Sequence, residues 1–155
     1  RDRLSMALNL AHRNHKLTAV MFIDLDGFKA VNDQYGHDAG DQLLREIARR
    51  IESCLRETDT AARIGGDEFL LIATELSDTH AAARIAEKVI SLVSRPVGIN
   101  QGEATVSASV GIALAPADGE DPEWLVRKAD AAMYAVKKAS KNGYAFVGST
   151  PASPP

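Results

Sequence analysis

The chain has 155 residues, 45% of them hydrophobic and 25% charged, with a formal net charge of −3. This is one domain's length with the ordinary balance of a soluble globular chain, and no apolar run approaches a bilayer span. An acidic balance, with pI near 5.8, also excludes the broad basic face that a nucleic-acid polymer would need, so any phosphate is bound locally. Residues 18–25 are almost continuously apolar, which predicts a central strand covered on both faces. Asp24 and Asp26 close it, two apart and therefore on one face. The chain then turns into a short helix whose amino end, around Gly27, Phe28 and Lys29, favours anions, with Lys29 adding a point charge. From 39 to 55 the apolar residues Leu43, Leu44, Ile47, Ile51 and Leu55 recur at helical spacing. The single cysteine, Cys54, falls in this pattern, cannot form an internal disulfide, and reads as a helix residue in a reducing compartment.

Two strands, 60–64 and 69–73, flank Gly65-Gly66-Asp67-Glu68 and predict a β-hairpin with acids at its tip. Glycine suits such a turn through its access to φ > 0 and through close backbone approach to a ligand. Ser77 or Asp78 can cap a helix bearing Ile85, Val89 and Val93, which stops before Pro96, and another strand follows. Residues 105–113 alternate, with Val106, Ala108, Val110 and Ile112 on a core side and Thr105, Ser107 and Ser109 on a more polar one. Asp121-Pro122 opens a last helix running to about Lys141, before a short strand over 144–147. Alternating strands and helices with a hairpin in the sheet predict an α+β, ferredoxin-like plait with a mostly antiparallel central sheet flanked by helices. The Pro-rich end from Ser149 to Pro155 reads as a disordered tail or linker after a domain covering 1–148. There is no secretory signal, but the abrupt opening at Arg1-Asp2-Arg3 suggests excision from a longer protein.

Adjacent acids repel unless a cation sits between them, so the Asp24/Asp26 and Asp67/Glu68 pairs point to a two-metal phosphoryl-transfer site. Mg²⁺ takes one or two carboxylates plus waters and phosphates, so Asp24, Asp67 and Glu68 suffice if hairpin and strand end meet on neighbouring strands. Mn²⁺ suits the same hard oxygen ligands. There is no G-x-x-x-x-G-K-[ST] loop, so this is not a P-loop NTPase. None of His12, His15, His37 and His80 has the spacing of a zinc site.

Gly65-Gly66-Asp67-Glu68-Phe69, the block Asp24-Leu25-Asp26-Gly27-Phe28-Lys29, Gly36-His37-Asp38-x-x-Gly40-Asp41 and Ala129-Asp130-x-x-Met133-Tyr134-x-x-Lys137 occur in one order. Together they resemble the GGDEF family of diguanylate cyclases over roughly 4–147. The resemblance implies a polymerase-palm-like fold and condensation of two GTP into cyclic di-GMP with loss of two pyrophosphates, one GTP on each protomer of an antiparallel homodimer. It implies that Asp24, the Leu25 carbonyl and Asp67 hold Mg²⁺ and that Asp67 also deprotonates the attacking 3′-hydroxyl, although a metal-acidified hydroxyl needs no dedicated base. It implies that Asn32 and Asp41 read guanine, which fits a carboxylate accepting from N1–H and N2–H and prefers GTP over ATP, since adenine would leave the acid unpaired. Lys137 and Lys141, four apart on one helix face, would contact the phosphates, though Ser140-Lys141-Asn142 replaces the more usual Gly-Arg-Asn and loses a bidentate contact. Arg56 and Asp59, in R-x-x-D spacing before the hairpin, would bind the product as an inhibitor.

By the same resemblance a regulatory, dimerising segment precedes Arg1, so the isolated chain is expected to be monomeric and sluggish. The location implied is cytoplasmic, with a membrane-anchored parent compatible. Two rivals stand beside a cyclase: a non-catalytic module that senses GTP or cyclic di-GMP, and a cyclase making a mononucleotide ring or a hybrid dinucleotide, which Asp41 disfavours.

Overall fold

A computed structural model describes residues 2–152, apart from the side chains of residues 2, 3, 7, 11 and 12. The apolar run forms a central strand, β1 (Leu17–Asp26). It pairs antiparallel with β3 (Glu68–Leu76) on one side and β6 (Ser107–Ala115) on the other. The strand β2 (Thr60–Arg63) extends the sheet beyond β3, and β7 (Gly143–Phe146) lies parallel to β6, giving the order β2-β3-β1-β6-β7. Two helices, α2 (Phe28–Tyr35) and α3 (His37–Glu52), link β1 to β2, and α4 (Thr79–Val93) links β3 to β6. Thus β3 lies between β1 and β2, while β1 lies between β3 and β6: two interlocked split βαβ units, the expected plait. The helix α5 (Pro122–Ala139) crosses from β6 to β7.

The period of two along β1 divides the core. Ala19, Met21, Ile23 and Leu25 pack with Leu43, Ile47 and Ile51 of α3 and Ala86, Val89 and Ile90 of α4. Val20 and Phe22 pack on the other face with Leu125, Ala129 and Met133 of α5 and with Leu4 and Leu8 of α1 (Asp2–Asn14), a helix the sequence reading assigned nothing to. Asp24 and Asp26 continue this second face, so the strand delivers both carboxylates to the side that α5 covers. Asp78 accepts from Ala81 N at 2.9 Å and Asp121 from Trp124 N at 2.9 Å, so both predicted N-caps form.

Three local expectations are corrected. The serine side of β6 is covered rather than solvated: Ser109 is fully buried, because α5 presses so closely that a Cβ on Gly111 would stand 1.9 Å from Ala129 O. The last helix ends at Ala139, and Lys141 and Asn142 turn left-handed at φ 55° and 47°. Cys54 lies in the turn past α3, buried, with its thiol pKa pushed up by that burial. Within the stretch read as a tail, Ala152 N–H and C=O both bond Tyr144 at 2.7 Å, and residues 153–155 lie outside the described ones. A small separate hairpin, β4 (Val97–Ile99) and β5 (Gly102–Ala104), follows α4, where the sequence pattern indicates only a strand. Among the described residues no helix is long and apolar enough to cross a membrane.

Candidate active site

The hairpin tip and the end of β1 meet. Asp24 and Glu68 are direct cross-strand partners, and Leu25 N donates to Asp67 O at 3.1 Å, fixing the tip against the strand. Directly opposed residues share a face with Cβ atoms roughly 5 Å apart. The electrostatics agree: Asp24 is pushed up to about 6, first by burial and then by Asp67, Glu68 and Asp26, with Lys137 opposing. Burial also raises Glu68, helped by Asp130 of α5 and by Asp67, again with Lys137 opposing. Asp130 lies within the motif Ala129-Asp130-x-x-Met133-Tyr134, but no signal in the sequence gave it a role facing this acid.

The two tip glycines are not left-handed as expected; the positive φ falls instead at Gly27 (88°) and Gly36 (92°). Space is what Gly65 supplies, since a Cβ there would lie 2.7 Å from Glu68 Oε1, whose carboxylate curls over it. Arg63 Nε donates to the carbonyls of Gly65 (3.1 Å) and Gly66 (2.9 Å), and Ile64 N donates to Glu68 O at 2.9 Å, which pins the turn.

Asp26 has a different task from Asp24. It is 6% exposed and accepts from Ser107 Oγ (2.6 Å), Ser109 Oγ (2.7 Å) and Asn142 N (3.0 Å), and it pairs with Lys137 Nζ at 2.8 Å. Burial raises its pKa, but Lys137, the two serines and Asn142 together outweigh burial and hold it below the usual carboxylate value. Every oxygen is used inside the chain, so Asp26 anchors β6 and the turn after α5 to β1. With Asp26 bonded inside the chain, Asp24, Asp67 and Glu68 are the acids left facing the junction of hairpin and strand.

Lys137 turns inward. Its ammonium donates to Leu25 O at 3.0 Å and stands 3.7 Å from Asp24 Oδ1. Lys141 is exposed and outside the helix, so the two lysines do not share a helix face; Asn142 N, drawn to Asp26, turns the chain away. Lys29 also points to solvent, 91% exposed and 3.8 Å from Asp33. The amino end of α2, capped by left-handed Gly27 with no side-chain cap and no acid in its first turn, still presents its N–H groups at the end of β1.

Asn32 Oδ1 is buried without a hydrogen-bond partner, an arrangement that costs roughly 1–3 kcal/mol unless a ligand satisfies it. A Cβ on Gly40 would stand 1.8 Å from that oxygen and 3.3 Å from the Phe28 ring, so glycine makes room for both. Next to Gly40, Asp41 opens on a cavity of about 300 Å³ lined with Leu44, Arg45, Ala48 and Arg63. Asn32 in α2 and Asp41 in α3 thus lie on either side of the α2–α3 junction, with Gly40 against the first and Arg63 lining the cavity of the second.

Arg56 and Asp59 are paired with each other. Arg56 donates to both Asp59 oxygens at 3.0 Å and to Thr74 O, and Asp59 also accepts from Arg56 N (3.0 Å) and Thr74 N (3.1 Å). The Asp59 side chain is 1% exposed and that of Arg56 48% exposed. Burial raises the Asp59 pKa, but Arg56 and the backbone donors outweigh it and lower it. Asp59 has no free lone pair to offer a guanine, and the pair ties the loop after α3 to β3.

The donor set suits a hard divalent ion: an ionisable, partly desolvated Asp24, the Leu25 carbonyl, and the Asp67–Glu68 tip, with Lys137 showing that a cation is stabilised among them. Among the described residues no group of three or more acid, histidine or cysteine side chains is placed to hold an ion alone. Waters and phosphates would complete the shell.

Comparison with known proteins bears on the family and the fold. The family model described as diguanylate cyclase, GGDEF domain, matches residues 1–143. The chain is 50% identical over 149 residues to the bifunctional diguanylate cyclase/cyclic di-GMP phosphodiesterase MucR of Pseudomonas aeruginosa, covering 96% of this chain and 22% of MucR. It superposes on the GGDEF domain of TpbB from Pseudomonas aeruginosa with a TM-score of 0.91 at 40% identity, over 94% of this chain and 86% of that one. The GGDEF domain of DgcB from Caulobacter crescentus, solved with c-di-GMP, matches with a TM-score of 0.84 at 29% identity, over 96% and 88% of the two chains. The chain spans only 16% to 32% of the length of the first curated relatives, some of which are named as phosphodiesterases.

Proposed function

The chain belongs to the GGDEF family of diguanylate cyclases, and from that premise we propose that it condenses two GTP into cyclic di-GMP and two pyrophosphates. The observation that carries this reading is the meeting of Asp24 with the Asp67–Glu68 tip, joined by the bond from Leu25 N to Asp67 O. Residues Asp24, Leu25 O, Asp67 and Glu68 would hold Mg²⁺ or Mn²⁺. Such an ion, when bound, neutralises triphosphate charge and makes the attacking hydroxyl more acidic.

The protein's own groups do the rest. Asn32 and Asp41 orient guanine: Asp41 accepts from N1–H and N2–H, and the orphaned Asn32 amide gains a partner. The α2 amino end around Phe28 receives phosphate oxygens through its N–H groups, with Lys137 and, more distantly, Lys29 and Lys141 supplying positive charge. Asp67 is the candidate proton acceptor for the 3′-hydroxyl. Each 3′-oxygen then attacks the α-phosphorus of the GTP on the partner protomer, forming one P–O bond and releasing one pyrophosphate; two such steps close the ring. A single protomer cannot close it, so a homodimer is required, and a regulatory domain on the amino-terminal side would control its formation. Inhibition by cyclic di-GMP would use the exposed part of Arg56, with Asp59 buried behind it as a support and not as a guanine acceptor.

The test is incubation with GTP and Mg²⁺, mass identification of the product, and the same assay with Asp67→Asn. Cyclic di-GMP that disappears in the variant, formed at a rate rising with the square of protein concentration in dilute solution, is the expected result. Unaltered GTP together with tight cyclic di-GMP binding would select a signalling receptor instead, a reading favoured by the phosphodiesterase names among the relatives. A mononucleotide ring or hybrid dinucleotide would refute the guanine assignment of Asp41.

A further inference from the structure

We propose that Lys137 is an internal counter-ion that closes the metal position of the nucleotide-free protein, so that a divalent ion and a triphosphate bind well only together. This rests on the metal-site reading above and assigns that site its regulation. The Lys137 ammonium lies 2.8 Å from Asp26 Oδ1, 3.0 Å from Leu25 O and 3.7 Å from Asp24 Oδ1. Two of these three groups, Asp24 and the Leu25 carbonyl, are the ligands the ion itself would use. The side chains are secluded: Lys137 is 22% exposed, Asp24 18% and Asp26 6%. A charge so placed is poorly screened by solvent.

An ion held by Asp24 and Leu25 O would stand beside the ammonium, which itself lies 3.0 Å from Leu25 O and 3.7 Å from Asp24 Oδ1. Two cations that close repel strongly in a partly dry site. The lysine must therefore leave before the ion can bind well, and leaving without a new partner strips Asp26 of its charged donor. A triphosphate changes this balance, because its oxygens accept from the ammonium just outside the acid cluster. The flexible four-carbon stem, on the last turn of α5, allows that movement while the turn beyond stays anchored by the bond from Asn142 N to Asp26 Oδ2. Nucleotide thus pulls the lysine out and admits the ion, and by linkage the ion favours the nucleotide equally.

The test measures Mn²⁺ alone binding to the nucleotide-free protein at fixed neutral pH, by the electron-paramagnetic-resonance signal of free Mn²⁺. Lys137→Met, which keeps the stem and removes the charge, should bind Mn²⁺ about tenfold more tightly than the unaltered chain, or better. Lys137→Gln should follow it, Lys137→Arg should stay near the unaltered value, and Lys138→Met, whose ammonium lies over Tyr134, should change nothing. Thermal melting establishes that each variant is folded. Equal or weaker Mn²⁺ binding by the uncharged variants overturns the proposal. So does micromolar Mn²⁺ binding by the unaltered chain without nucleotide, a measurement that needs no variant. A chain that makes no cyclic di-GMP but shows the expected Mn²⁺ pattern would remove the cyclase reading and leave this one; a working cyclase with uniform Mn²⁺ affinities would do the reverse.

Discussion

Replacing Asp24 by asparagine isolates the electrostatic cost of holding this site ready. Asp24 ionises near 3.8 when unfolded and near 6 in the fold. Between those values the folded chain keeps a proton that the unfolded chain has lost, so this group's contribution to stability falls as pH rises through the window. Below it both states are protonated and there is no cost; above it the cost is complete. At about 1.36 kcal/mol per pKa unit the upper bound is about 3 kcal/mol, and the side chain's partial contact with solvent brings the expected value to about 1–2 kcal/mol. Asparagine cannot ionise, so Asp24→Asn should be more stable than the unaltered chain by that amount near neutral pH. The advantage should shrink steadily as pH falls toward about 4. Urea unfolding in chelator at several pH values measures this directly, and saturating Mg²⁺ supplied with a non-hydrolysable GTP analogue should cancel the advantage by stabilising mainly the chain that can bind the ion. A variant that is less stable than the parent near neutral pH, or a difference that does not vary with pH, refutes the electrostatic argument.

Three further substitutions test other links. Gly111→Ala sets a methyl 1.9 Å from Ala129 O and 2.3 Å from Met133 N, lifting α5 from the sheet; a loss of about 3 kcal/mol or more in urea unfolding is expected. Gly40→Ala meets the Asn32 amide, which can rotate away, so stability should fall by only about 1 kcal/mol while discrimination of GTP from ATP, read by competitive binding, drops. Arg56→Ala removes the charged partner of an almost wholly buried Asp59. Two backbone donors remain, so the loss should be about 1–3 kcal/mol by thermal or urea melting, and cyclic di-GMP inhibition should weaken if Arg56 carries it.

Much of this molecule is legible from side-chain order alone, because the relevant physics is local. Continuous apolarity over β1, helical spacing in α3, the Asp78 and Asp121 caps and the two glycines before two acids each depend on residues a few positions apart. Their succession implies the plait, and with it the meeting of Asp24 with the hairpin. Long-range contacts decided what could not be read that way. Asp24 and Asp26 have the same local pattern, yet Ser107, Ser109 and Asn142, more than eighty residues away by sequence, make one of them an anchor and leave the other available. Lys137 looks like any basic residue near a helix end until β1 is placed beneath it. Arg56 and Asp59 look like a binding pair until β3 brings Thr74 to complete an internal clamp. A carboxylate's role follows from which donors the fold brings to it, and the donors here arrive from other strands.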